Sequence, residues 1–142
     1  WTDFVGDEYK AFSGTAVYTT TINKVPVADV IKLDLGSVAE NASVYLNGDY
    51  IGTVIDSPYQ LYIPAEKFKG QDELVVRVAN SMANRIAYMD KKGVDWKIFY
   101  NVNMSARKKE NVKNGIFDAS DWEPKSSGLL GPVTLTPAMV KQ

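Results

Sequence analysis

From Gly14 to Val78 the apolar residues recur at every second position, in short runs. Ala16, Tyr18 and Ile22 share one parity of the Thr-rich stretch Thr15–Ile22. Ile31, Leu33 and Leu35 alternate with Lys32 and Asp34, and Ala42, Val44 and Leu46 alternate with Ser43 and Tyr45. A period of two predicts strands with one buried and one wet face. Asn47-Gly48 then supplies the positive φ values of a tight hairpin turn, so residues 50–54 should return as the partner strand. Asp56-Ser57-Pro58 interrupts the pairing, and Tyr59, Leu61 and Ile63 alternate until Pro64. A turn around Gly70-Gln71-Asp72 leads into Leu74, Val76 and Val78, with Arg77 pointing outward. Short strands separated by turn residues, with no long crossovers, predict an all-β antiparallel sandwich rather than a parallel sheet.

The pattern changes after Asn80. Met82, Ile86 and Met89 fall at helical spacing, with Ser81 and Gly93 placed to cap a short helix. Residues 96–104 are aromatic and apolar without a clean period. Residues 106–114 carry Arg107, Lys108, Lys109 and Lys113 and read as an exposed loop. Aromatics do not interleave this basic run, so it reads as solvated surface and not as a nucleic-acid patch. Strand character returns over residues 132–136, with Val133 and Leu135 on one face, and this closing strand should pair with one near the start. The expected architecture is a sandwich with a long loop and short helix inserted before the last strand.

Composition narrows the chemistry. The chain of 142 residues has room for one domain of ordinary size, residues 1–142, and for a core that needs no disulfides. It contains neither Cys nor His. Ser-His-Asp and Cys-His catalysis and His- or Cys-ligated zinc are therefore excluded within these residues. With 16 basic and 17 acidic residues the net charge is −1, so no bulk field favours nucleic acid or an anionic membrane. No apolar stretch approaches the roughly 20 residues of a membrane-spanning helix. Residues 1–6 read as structured sequence and not as a leader, as expected of a domain excised from a larger multidomain enzyme.

Several strings together resemble a known family. Phe12-Ser13-Gly14-Thr15-Ala16-Val17-Tyr18, Leu33-Asp34-Leu35-Gly36, and Ala42-Ser43-Val44-Tyr45-Leu46-Asn47-Gly48 with Gly52 resemble the galactose-binding-like jelly rolls attached to glycoside hydrolases. The sugar-binding domains of glycoside hydrolase family 2 are the best-known examples. The closing string Ser127-Gly128-Leu129-Leu130-Gly131-Pro132-Val133-Thr134-Leu135 is more similar to the C-terminal modules of family 106 α-L-rhamnosidases. The long segment between Asn80 and Ser126 also favours these relatives. The resemblance implies a jelly roll with a non-catalytic role beside a separate catalytic domain, in a periplasmic or extracellular enzyme. It implies carbohydrate and that catalytic domain as partners, no nucleic acid or membrane, no organic cofactor, and in some modules a structural calcium.

Sugar binding needs an aromatic ring to stack on a pyranose and planar polar groups to hold hydroxyls. Trp96, Tyr100 and Trp122 are the stacking candidates, with Arg85, Asp95 and Asp121 as hydrogen-bonding partners. The competing reading is that Trp96, Phe99 and Trp122 only cover one end of the sandwich. Asp56 and Tyr59 form a second pair, on the loop after the hairpin. Asp3, Asp7 and Glu8 cluster near the start and could supply oxygens to calcium. A glycosidase would need two carboxylates flanking a cleft. The inward alternation of Leu, Val and Ile carries no such acidic stripe. The expectations are therefore a carbohydrate-binding module or a scaffold for a catalytic domain, with catalysis by the chain itself disfavoured.

Overall fold

The computed structural model of the chain describes residues 1–98 and 108–138. In chain order a short helix α1 (Asp7–Lys10) precedes strands β1 (Thr15–Ile22), β2 (Val30–Asp34), β3 (Ser37–Ala39) and β4 (Asn41–Leu46). Strands β5 (Asp49–Val54), β6 (Gln60–Pro64) and β7 (Asp72–Ala79) follow, and then helix α2 (Ala83–Lys91). The chain continues through β8 (Val112–Lys113), β9 (Ile116–Phe117), β10 (Gly128–Gly131) and β11 (Thr134–Ala138). These elements divide into two compact units, Gly14–Asn80 with Ser127–Gln142, and Trp1–Ser13 with Ser81–Ser126.

The larger unit is all-β and antiparallel. A four-stranded sheet runs β1-β7-β4-β5, a three-stranded sheet runs β11-β2-β6, and β10 pairs with β3. Inward residues of the two larger sheets meet in one core, where Ile31, Leu33, Leu35, Ala42, Val44, Leu46, Ile63 and Val78 are almost fully buried. Each belongs to the alternating set expected to face inward. The closing strand β11 pairs with β2, the second strand of the chain, in a register that sets Leu135 opposite Leu33.

The hairpin between β4 and β5 turns at Asn47 and Gly48, both with positive φ (52° and 86°). Its asparagine also works at longer range. Asn47 Nδ2 donates to Asp72 Oδ1 at 2.7 Å, and the Glu73 N–H donates to Asn47 Oδ1 at 2.9 Å, joining the hairpin to the start of β7. Asp72 further accepts from the Lys69 and Gly70 N–H groups. Burial raises the Asp72 pKa, but the Asn47, Lys69 and Gly70 donors outweigh it and hold the carboxyl below its ordinary range.

Gly36 sits where β2 leaves its sheet, with φ 66°, and bridges directly to Gly131. A Cβ there would collide with the Gly131 backbone, so a side chain is excluded. Asp34 caps this turn by accepting from the Gly36 N–H at 2.8 Å, while Gln60 Nε2 donates to its other oxygen at 2.6 Å. These two donors lower the Asp34 pKa.

The smaller unit has its own core. Phe117 and Ala119 are buried and packed by Ile86, Ala87, Trp96 and Trp122. Helix α2 begins after Met82 with no side-chain cap, one residue beyond the expected Ser81. Its C-terminus is capped by Gly93 (φ 66°), whose N–H donates to the Asp90 carbonyl while the Val94 N–H reaches that of Met89. This is the six-to-one and five-to-two closure that a glycine at this position permits. Part of the basic run expected as loop is a hairpin, with β8 and β9 joined at Asn114-Gly115 (φ 52° and 77°). Residues 106 and 107 of that run lie outside the described residues.

Candidate saccharide groove

The buried carboxylate of Asp90 organises the smaller unit. Trp96 Nε1 donates to Asp90 Oδ1 at 2.7 Å, the Ala119 N–H donates to Oδ2 at 2.8 Å, and the Lys97 ammonium pairs with Oδ1. Asn84, also buried, donates to the Lys125 carbonyl at 2.7 Å and accepts from the Lys125 N–H at 2.8 Å. This reciprocal pair fixes the chain after residue 120 along α2. Trp122 is held by Nε1 donating to Asn111 Oδ1 at 2.9 Å, with its ring edge-on to Phe117 at 5.8 Å.

Between α1, α2 and residues 120–124 these bonds leave an open groove of about 660 Å³. Asn84, Ala87, Tyr88 and Lys91 line it from α2. Their spacing of three and four residues places them on one helix face. Asp7 and Lys10 of α1 lie across from them, and Asp121, Trp122 and Glu123 close the third side. The volume falls in the range of small-ligand sites, and the lining combines two aromatic side chains with amide, ammonium and carboxylate groups. A smaller depression of about 420 Å³ shares Ala11 and Tyr88 with the groove and adds Glu8, Phe12, Met82 and Arg85. The cationic groups of Arg85 and Lys92 stand 5.8 and 5.6 Å from the Tyr88 ring centroid.

Three ion pairs frame the site. Lys92 Nζ approaches Asp7 at 3.5 Å, and Lys113 Nζ bridges Asp118 (3.3 Å) and Asp121 (3.0 Å). The Asp121 contact is the main reason the Lys113 pKa is raised, and donation from the Ser120 hydroxyl is the main reason that of Asp118 is lowered. Both shifts favour the charged forms of Lys113 and Asp118.

The structure brings together only part of the expected site. Asp121 and Trp122 line the groove, and Arg85 lines the adjoining depression. Trp96 is half-buried on the core of the smaller unit, and Asp95 beside it is exposed. Tyr100 and Phe99 lie outside the described residues. Asp56 is exposed, and Tyr59 packs against the sandwich core. Asp3, Asp7 and Glu8 are not drawn into a ligand set, and no group of three or more carboxylates among the described residues could hold a metal ion. Asp7 is turned to Lys92 instead. Tyr88, Lys91, Asn84 and the organising Asp90 escaped the sequence reading. The spacing of 84, 87, 88 and 91 was visible, but its mixed polarity hides it beside the apolar stripe of Met82, Ile86 and Met89.

No protein-family profile matches the chain. A protein of Formosa agariphila named "Putative beta-glucuronidase" is 33% identical over 150 residues, a match that takes in 95% of this chain and 13% of that protein. The rhamnosidase of Novosphingobium sp. PP1Y contains a similar structure, with a TM-score of 0.72 and 29% identity over 94% of this chain and 12% of that one. The chain is thus similar to a small segment of large glycoside hydrolases and spans about one eighth of either relative.

Proposed function

We propose that this chain is a non-catalytic accessory module of a larger glycoside hydrolase, packed beside the catalytic domain of its parent polypeptide, and that it holds saccharide in the groove of its smaller unit. The observation that carries the accessory role is the asymmetry of coverage. Nearly all of this chain matches about one eighth of each relative. The sandwich core supports the reading, since its inward residues are aliphatic and offer no carboxylate pair to a substrate. The groove supports the saccharide, because Tyr88 and Trp122 provide ring faces and Asn84, Lys91 and Asp121 provide hydroxyl partners. The parent acts in the periplasm or outside the cell in this reading.

One observation favours a scaffold that never holds sugar. Both Trp96 and Trp122 use their indole N–H groups inside the unit. Calorimetry on the 142-residue chain with glucuronate, rhamnose and their short oligosaccharides separates the readings. The saccharide module should bind one of them at about millimolar strength, near −4 kcal/mol. Tyr88→Ala and Asp121→Asn should each remove most of that binding while circular dichroism stays unchanged. Binding that survives both substitutions would place the sugar outside the groove, and binding to none of the sugars would leave only the scaffold.

A further inference from the structure

The outer face of the four-stranded sheet carries a second arrangement that neither the core nor the groove uses. Two adjacent rows cross all four strands. The strand registers place Val17, Arg77, Ser43 and Thr53 in one row and Thr19, Val75, Tyr45 and Tyr50 in the next. These are the outward positions of strands whose inward ones are buried, and Val17 (59%) and Tyr50 (60%) are well exposed. Three inter-strand spacings make each row about 14 Å long.

The side chains are tied together. Ser43 Oγ and Thr53 Oγ1 share a hydrogen bond of 2.8 Å, and Tyr50 Oη and Thr53 Oγ1 one of 2.9 Å. The Tyr45 and Tyr50 rings lie 5.5 Å apart, and the Arg77 guanidinium sits 4.8 Å from the Tyr45 centroid. Among the described residues Arg77 has no ion pair. The two rows hold one cation and no carboxylate. Glu73, the next outward residue of β7 beyond Val75, lies in a further row opposite Thr21.

We infer that this face is a binding surface for an acidic saccharide, with a uronic-acid carboxylate on Arg77 and an adjoining pyranose ring against Tyr50. A guanidinium without a carboxylate partner is complementary to an anion and offers it paired N–H donors. An exposed tyrosine ring offers an apolar face for the axial C–H groups of a sugar. The row of Ser43, Thr53 and Tyr50 hydroxyls can both donate and accept, as sugar hydroxyls require. The surface belongs to the larger unit and the groove to the smaller, so each can fail without the other.

Amide chemical-shift mapping of the whole chain tests this, with tetragalacturonic acid and the neutral cellotetraose as probes. The acidic probe should move the amides of Thr19, Ser43, Tyr45, Thr53 and Arg77, and more tightly than the neutral one. Arg77→Gln should weaken the acidic probe at least roughly tenfold, and Tyr50→Ala should weaken both probes. Both residues are outward and exposed, so neither change touches the core. The inference is overturned if these amides stay still, or if the two probes bind alike. It also fails if only Tyr88, Asp121 and Trp122 respond, a result that would leave the groove standing. Shifts that follow protein concentration instead of probe would mark a protein-binding face and overturn it as well.

Discussion

Single residues decide where this chain can bend and what its smaller unit is built on. Gly36 has positive φ at a point where the Gly131 backbone leaves no room for a Cβ. Gly36→Ala should therefore cost more than about 1–2 kcal/mol, the strain of a left-handed non-glycine residue before any clash is counted. Urea unfolding that shows a smaller loss would contradict the close approach. Asp90 is the corresponding point in the smaller unit. Asp90→Asn keeps the shape but loses the charge opposite Lys97, and should cost about 3 kcal/mol as one partner of a buried pair is removed. Trp96 donates to the same carboxylate, so its fluorescence should report the loss at lower denaturant than far-ultraviolet circular dichroism does. Coincident, unshifted curves would count against it. Gly36 and Asp90 differ in legibility. Gly36 follows directly on the alternating run of Ile31, Leu33 and Leu35, so the break in pattern there is visible locally. The partners of Asp90 lie as far as 29 positions away, and no local pattern in the sequence points to them.

At the scale of elements, the local signals were legible where one turn decides the outcome. Asn47-Gly48 lies between alternating runs and forms the expected hairpin. Asn114-Gly115 carries the same signal with the same backbone geometry, but its strands are only two residues each and lysines surround it. Period cannot be read over two residues, so the segment looked like loop. The pairing of β11 with β2 was beyond local reading, because register between distant strands is settled by the shared core.

The turn before β7 makes a pH prediction. The folded-state pKa of Asp72 lies below its ordinary value, so its ionised form stabilises the fold. That contribution is full above the unfolded pKa and is lost as pH falls below about 4 and through the folded value. Asp72→Asn should flatten this part of the acid-unfolding profile. It should also lower stability at neutral pH by about 1–3 kcal/mol, since Lys69 and Gly70 lose a charged acceptor. An unchanged acid profile would place the pH dependence elsewhere.

Across the whole molecule, the sandwich was readable from alternation because burial on one face imposes a period of two throughout. The groove was only half readable. Asp121 and Trp122 were picked out by residue type, while the α2 face opposite them emerges only once the helix phase is known. No helix among the described residues is long and apolar enough to cross a membrane, and the net charge of −1 gives no pull toward polyanions. Two local surfaces stand out instead, the polar groove with its two aromatic walls and the outer face of the four-stranded sheet around Arg77 and Tyr50. The claim that this groove holds sugar without cleaving it is tested most directly by following protein amides and glycoside together in one sample. The chain is mixed with glucuronide and rhamnoside oligosaccharides and watched by nuclear magnetic resonance. The amides of Tyr88, Asp121 and Trp122 should shift while every glycoside stays intact. Release of free sugar by the purified chain, or a groove that stays silent to all of them, would contradict the account.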